Sequence, residues 1–297
     1  MTTNIHSDPQ PGAKVLITGA NGANGAELVK LFAAQNIPVR ALVRDRSRAE
    51  KIALPGVETI EGDFDRPETL DAALKGIERA FLLTPSSERA EKQQLAFVEA
   101  AQKSDVKHIV KLSQLGADAD SSQRFLRYHG KVETAIRESS LAFTFLRPNL
   151  FMQTLLSFAG TIKEKNAFFA PMGEGRVSVV DTRDIAQVAF VSLTGDGHEN
   201  KIYEITGPDS LSHGQMAEQL SGVLGRTISY VNIPPEAMRQ SLLDLHFPVW
   251  QADGLLEEYA AWSQNEAAQV TGDVRDVTGH DPRSFEQFAC DHASAFG

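Results

Sequence analysis

Over its first half the chain alternates short apolar runs with longer stretches of helical periodicity. The runs fall at 15–17, 38–43, 57–61, 79–84, 107–113 and 141–146. Runs this short, apolar at successive positions, predict strands buried on both faces. Between them, Ala26, Leu28, Val29, Leu31, Phe32 and Ala33 recur at helical spacing toward Asn36. Thr69, Leu70, Ala73 and Leu74 carry a second helix from near Pro67 to Gly76, and 88–103 and 123–139 are longer amphipathic helices. Strand–helix alternation with right-handed crossovers predicts an α/β fold, a doubly wound parallel sheet. After Leu150 the alternation loosens. Helical stretches at 181–193, 211–224, 235–245, 248–261 and 284–295 mix with short extended pieces at 167–171, 176–180, 201–206 and 227–232. These segments read as too interrupted for a second independent core.

The first strand leads into Thr18-Gly19-Ala20-Asn21-Gly22-Ala23-Asn24-Gly25, and the first helix follows at once. Glycine lacks a Cβ, so such a turn can take positive φ and let a pyrophosphate approach the backbone. The helix start points free N–H groups and its positive dipole end at that phosphate. A glycine triplet directly after a strand and opening a helix is a far stronger signal than the triplet alone. It predicts a Rossmann-type dinucleotide-binding domain over 13–150. The remainder, 151–297, reads as a smaller mixed substrate lobe interleaved with it, and 1–12 as a flexible leader.

Arg44 ends the second strand, roughly twenty residues past the turn, where such folds read the adenosine ribose. A guanidinium there pairs with a 2′-phosphate, so Arg44, followed by Arg46 and Arg48, favours NADPH. Asp45 would take the hydroxyl-binding role of an NAD site if the strand ended one residue later. Asp63 is placed to accept from the adenine amino group with Phe64 beside the ring; Asp63 or Asp65 would equally cap the next helix. Thr84 and Pro85 end the fourth strand, where ligands bind in such sheets. Asn149 and Phe151 follow the sixth strand at the same edge and should border a nicotinamide, although Asn149 would also serve as a helix cap.

Bulk properties narrow the partners. The 297 residues are 42% hydrophobic and 23% charged, ordinary for a globular protein, and the net charge is −10. An acidic surface disfavours nucleic acid and anionic membranes. No apolar run approaches the roughly 18 residues of a spanning helix. One cysteine, Cys290, excludes an internal disulfide and a cysteine metal cluster, and fits a reducing, cytoplasmic setting. No spacing suggests a metal site, no Gly-x-Ser-x-Gly elbow a hydrolase, and no Walker lysine an ATPase.

The glycine turn, Gly62-Asp63, Leu83-Thr84-Pro85, Val106-Lys107-His108-Ile109-Val110, Lys131 and Leu146-Arg147-Pro148-Asn149-Leu150-Phe151-Met152 together resemble the NmrA-like, atypical short-chain dehydrogenase/reductase family. Residues 197–203 look like a segment of its triphenylmethane dye reductases. The resemblance runs from about Ala13 to Tyr203 and thins afterwards. It implies NADPH without flavin or metal, and activity on quinones, azo dyes or triphenylmethane dyes, in a monomer or homodimer. The alternative it leaves is a non-catalytic NADP-binding redox sensor. Within the family pattern Asn21, Gly22, Ala23 and Asn24 line the phosphates, and Lys131 holds the nicotinamide ribose.

One departure bears on chemistry. Short-chain dehydrogenases carry Tyr-x-x-x-Lys, with tyrosine as proton donor. Four residues before Lys131 stands Arg127, and Tyr128 is one position, about 100°, round the helix. Arginine does not give up a proton near neutrality. Ketone reduction therefore fits less well than hydride addition to a small, conjugated aromatic acceptor. Tyr128 and His129 are the candidates for proton supply. The acceptor pocket is drawn from Tyr128, Phe151, Met152, Phe168 and Trp250, with Phe169, Phe247, Tyr259 and Trp262 as further aromatic positions. Arg44→Asp should weaken NADPH binding at least about tenfold more than NADH binding, because a charge-assisted bond of about 1.5–3 kcal/mol is lost from one cofactor only. Fluorescence titration with both cofactors measures this; equal losses would show that Arg44 does not read the 2′-phosphate.

Overall fold

The computed structural model describes residues 12–297 except Arg46 and Arg48. Residues 1–11 of the expected leader 1–12, and these two arginines, lie outside the described residues. Seven parallel strands make the central sheet: β1 (Val15–Ile17), β2 (Val39–Val43), β3 (Val57–Glu61), β4 (Arg79–Leu82), β5 (His108–Leu112), β6 (Ala142–Pro148) and, after two intervening short strands, one further strand at Lys201–Ile205. Helices α1 (Ala23–Ala34), α2 (Leu70–Leu74), α3 (Ala90–Gln102) and α4 (Arg124–Glu138) form the crossovers. The chain then runs through a 3-10 segment at Met152–Phe158, α5 (Ala159–Lys165), β7 (Ala167–Ala170), β8 (Arg176–Val177) and α6 (Thr182–Thr194) to that last strand, β9. It ends with β10 (Leu211–Ser212), α7 (His213–Leu224), β11 (Ser229–Asn232), α8 (Pro235–Asp244), α9 (Val249–Ser263), α10 (Asp273–Thr278), α11 (Phe285–Asp291) and α12 (Ala293–Phe296). The α10 turn is not evident from the sequence pattern.

The sheet order is β3-β2-β1-β4-β5-β6-β9, which confirms the doubly wound α/β class. The apolar runs face both ways, as a parallel sheet covered on both sides requires. Ile17, Val110 and Leu146 pack with Leu28, Val29 and Phe32 of α1 and Ile185 and Val188 of α6. Leu16, Ile109 and Phe145 pack with Phe97 of α3 and Val132 and Ile136 of α4.

The stretch 151–297, expected as a smaller lobe interleaved with the first domain, gives α6 and β9 to the large sheet's layers: β9 pairs in parallel with β6, Leu146 opposite Tyr203. One expectation is corrected. The remainder was expected to lack a core of its own, yet Met152, Phe168, Met216, Leu220, Trp262 and Phe288 form a separate buried cluster. Its aromatics come from segments too short and too scattered to show a period. Two small sheets brace it, β7 with β11 in parallel and β8 with β10 antiparallel.

The β1–α1 turn needs its glycines. Gly19 has φ of +62°, and a Cβ there would meet Leu83 at 2.8 Å. A Cβ on Gly25 would sit 2.2 Å from the Gly19 carbonyl oxygen, so α1 starts directly against the turn. Gly25→Ala should cost about 1–3 kcal/mol, the usual penalty of overpacking against atoms that cannot move aside. Denaturant midpoints of the two proteins check this; an unchanged midpoint would show that the turn opens freely.

Candidate functional site

Ligands of doubly wound sheets bind beyond the carboxyl ends of the strands. Here that end begins with the glycine turn, held to the next strand by Thr18, whose Oγ1 lies 2.9 Å from the Leu83 carbonyl and accepts from the Leu83 N–H at 2.8 Å. Asn21, Gly22 and Ala23 are exposed along the turn. Asn24 is buried, and its Oδ1 has no hydrogen-bond partner, a polar atom left open at the cradle. A turn with no room for a side chain at Gly19 or Gly25, opening a helix, fits the phosphates of a dinucleotide, and the open Asn24 oxygen is an acceptor for one of its hydroxyl or amide donors. Arg44 stands exposed directly after β2. Asp63 braces its own turn: Oδ1 accepts from the Asp65 N–H at 3.0 Å. Phe64 is half-buried and packs on Phe97 with ring centroids 5.7 Å apart. Thr84 is buried and accepts from Gln94 at 2.8 Å, while Pro85 is exposed.

Beneath α4 lies a buried polar network. Glu133, with no exposed side-chain surface, accepts from Ser113 Oγ at 2.5 Å, from Arg147 at 3.0 and 2.6 Å and from Arg137 at 3.2 Å. Ser113 and Arg147 sit at the carboxyl ends of β5 and β6, so one carboxylate ties two strands to one helix. Beside it, Lys111 on β5 is fully buried and its Nζ donates to His129 Nδ1 at 2.7 Å. Burial pushes the Lys111 ammonium down to about 7; Glu133 opposes this and Arg147 adds to it. Burial, then Lys111 and Arg147, hold the His129 imidazole well below its usual range.

The outer wall is aromatic. Tyr128 is buried, with its hydroxyl 3.1 Å from Ser86 Oγ in the loop after β4. Its ring lies 6.3 Å from Trp250 and 6.4 Å from Phe125, and Phe125 lies 5.2 Å from Trp250. Burial raises the Tyr128 phenol well above its ordinary value, against the Ser86 bond. Helix α9 is clamped across α4. Arg124 bonds Glu257 through Nε at 2.9 Å and Nη2 at 2.7 Å and donates to the Trp250 carbonyl at 2.9 Å. A Cβ on Gly254 would meet the Phe125 ring at 2.5 Å. One turn further along α9, Glu258 is 7% exposed and accepts a hydrogen bond from Gln114 Nε2, in the loop after β5. Burial pushes its carboxyl up to about 7, the Gln114 bond opposing and Glu257 adding.

The structure thus joins Tyr128 to Trp250 but separates other predicted site residues from them. His129 is neutral at physiological pH and bound to Lys111, so it has no imidazolium proton to deliver. Lys131 is exposed and pairs with Glu91 of α3 at 3.5 Å, a surface contact weak enough to exchange. Asn149 does not present its amide to a cofactor: Nδ2 donates to Ser178 Oγ at 2.7 Å and to the Ala267 carbonyl at 2.8 Å, pinning the lobe to the sheet. Phe151 bridges to Val180 and packs half-buried on the sheet core. Met152 and Phe168 are core, not pocket wall; Phe168 has no exposed surface and lies against Phe158, His213 and Tyr230. Tyr259 and Trp262 are buried in the same cluster.

Sequence reasoning does not single out Lys111, Glu133 or Glu258. The signals were a lysine inside an apolar parallel strand and a glutamate in the Trp250–Gly254–Glu258 helical stripe. Among the described residues, no group of three or more His, Cys, Asp or Glu side chains is placed to hold a metal, and no helix is long and apolar enough to cross a membrane.

The NmrA-like family model matches residues 11–286. An NAD(P)H azoreductase of Xenophilus azovorans is 40% identical over 283 residues, 95% of this chain and 99% of the relative. Quinone oxidoreductase 2 of Escherichia coli is 27% identical over 272 residues, covering 90% of this chain and 94% of the relative. The triphenylmethane reductase of Citrobacter sp., solved as a complex with NADP(H), superposes with a TM-score of 0.83 at 26% identity, covering 94% of this chain and 99% of that one.

Lys111 gives a pH signature. Its ammonium titrates near 7 in the folded chain, against its ordinary 10.5. Between those values the unfolded chain binds more protons, so stability rises with pH across the window. The stability of wild type relative to Lys111→Met should therefore increase by a few kcal/mol, on the order set by linkage, as pH rises from about 7 to 10.5. Thermal unfolding of both at each pH measures it; a flat difference would show that Lys111 is solvated.

Proposed function

The chain belongs to the NmrA-like family, and we propose that it is a flavin-free reductase passing hydride from NADPH to conjugated aromatic acceptors, azo dyes or quinones first and triphenylmethane dyes next. The observation that carries this reading is Arg127. It stands where short-chain dehydrogenases place their acidic tyrosine, and its guanidinium donates to the Ser121 and Ser122 carbonyls, each at 2.7 Å. A residue so committed, and so weak an acid, does not serve ketone reduction. The full-length similarity to an azoreductase and a quinone oxidoreductase supports the same choice of acceptor class.

The chain's residues divide the work. The Gly19–Gly25 cradle binds the pyrophosphate, Arg44 the 2′-phosphate, and Asp63 with Phe64 the adenine. Lys131 exchanges Glu91 for the nicotinamide ribose. When bound, the dihydronicotinamide supplies the hydride. Tyr128 and Trp250 hold a flat acceptor against it, and Ser86 fixes the Tyr128 hydroxyl. Orientation of this kind supplies much of a rate enhancement.

The test is loss of NADPH absorbance, and separately of NADH, with a panel of azo dyes, quinones and triphenylmethane dyes, on protein whose spectrum shows no flavin. Turnover with one dye class and a preference for NADPH is expected. NADPH bound tightly but never oxidised across the panel would replace this reading with that of an NADP sensor.

A further inference from the structure

We propose that Glu258 is the proton donor of this site, delivering a proton to the acceptor as hydride reaches it; the proposal rests on the reductase reading above. Three observations lead to it. Glu258 reaches the sheet's ligand end from outside, on a helix clamped across α4 by Arg124–Glu257 and by Gly254 against Phe125. It carries no ion pair among the described residues: the neighbouring guanidinium, Arg124, is spent on Glu257 and the Trp250 carbonyl. Its one hydrogen bond comes from the Gln114 amide to Oε1, which leaves Oε2 without a partner. The residue keeps 7% of its surface exposed.

An uncompensated carboxylate in such a place is costly, and the carboxylic acid is the form that fits. With Oε1 accepting from Gln114, the proton sits on Oε2. Burial places the group near neutrality, where an acid both holds and releases its proton. The groups around it do not compete for the role. Tyr128, facing it from α4, is a weaker acid than free tyrosine. Glu257 on its own helix is tied to Arg124, and burial raises the Tyr259 phenol to about 12. Gln114 does not titrate.

The step balances. Hydride adds its electron pair to one nitrogen of an N=N bond; the π pair moves to the other nitrogen and takes the Oε2 proton, breaking the O–H bond. The acceptor gains two electrons and two hydrogens, the dihydronicotinamide is oxidised, and the carboxylate left on Glu258 recovers a proton from water. In a quinone the proton goes to a carbonyl oxygen instead.

Glu258→Gln keeps the size and the hydrogen-bonding capacity but cannot give the proton. With wild type turning over an azo dye, kcat should fall roughly a hundredfold or more, the usual weight of a positioned acid. NADPH affinity by fluorescence should hold, which separates the effect from misfolding. Wild-type kcat/KM should decline as pH rises through about 7, and the variant should lose that limb. Infrared difference spectra of the protein without acceptor should show a protonated carboxyl that titrates with the same midpoint and vanishes in Glu258→Gln. A variant that keeps the alkaline limb, or a wild type with no such carboxyl band, overturns the proposal. A wild type that reduces no acceptor overturns the reductase reading and the proposal with it; that failure is visible before the variant is compared.

Discussion

The ligand end of this sheet depends on one buried carboxylate. Glu133 takes hydrogen bonds from Ser113 at the end of β5, from both arms of Arg147 at the end of β6, and from Arg137 one turn along its own helix. Each of these donors is a group that burial alone would penalise. Together they fix the spacing of two strand ends and the height of α4 above them. Tyr128, on the same helix, takes its height above the strands from that tie and packs with Phe125 and Ala90. Removing one partner from such a pair is far worse than never having had it, because a buried charge is left behind.

Glu258 is the contrasting case. Both are glutamates on helices covering the same sheet edge, and both are buried. Glu133 has a bidentate guanidinium; Glu258 has a neutral amide, while Arg124 is taken by Glu257, the residue before it in sequence. Burial favours the uncharged form of a carboxyl, and an adjacent cation favours the charged one. The same residue type is thereby given a structural task in one place and an acid's environment in the other.

What could be read from the chain follows the range of the interactions involved. The strand–turn–helix start was legible because period, glycine spacing and helix onset are all local, and Gly25 shows why: a single added carbon would collide with the backbone six residues earlier. The six leading strands were legible because burial on both faces leaves unbroken apolar runs. The seventh, β9, was read as a strand but counted with the smaller lobe, since its pairing with β6 spans more than fifty residues. Asn149 and Phe168 were misread for a related reason. Their types suit a cofactor edge and an aromatic pocket, but Ser178, Ala267 and Tyr230, which claim them, lie far along the chain. Burial of Lys111 and Glu258 is likewise a tertiary fact.

The titratable groups under α4 and α9 share a direction. Burial disfavours the imidazolium of His129, the ammonium of Lys111, the phenolate of Tyr128 and the carboxylate of Glu258. A wall built from such groups carries little fixed charge at neutral pH and is faced by Phe125 and Trp250. Water gains little there, and a flat apolar acceptor loses little by leaving it. Arg124, Arg137 and Arg147 are committed to carboxylates of the protein itself, whereas Arg44 stands exposed at the end of β2. The division suits a site that must hold a highly anionic dinucleotide at one end and transfer hydride in an uncharged, water-poor setting at the other.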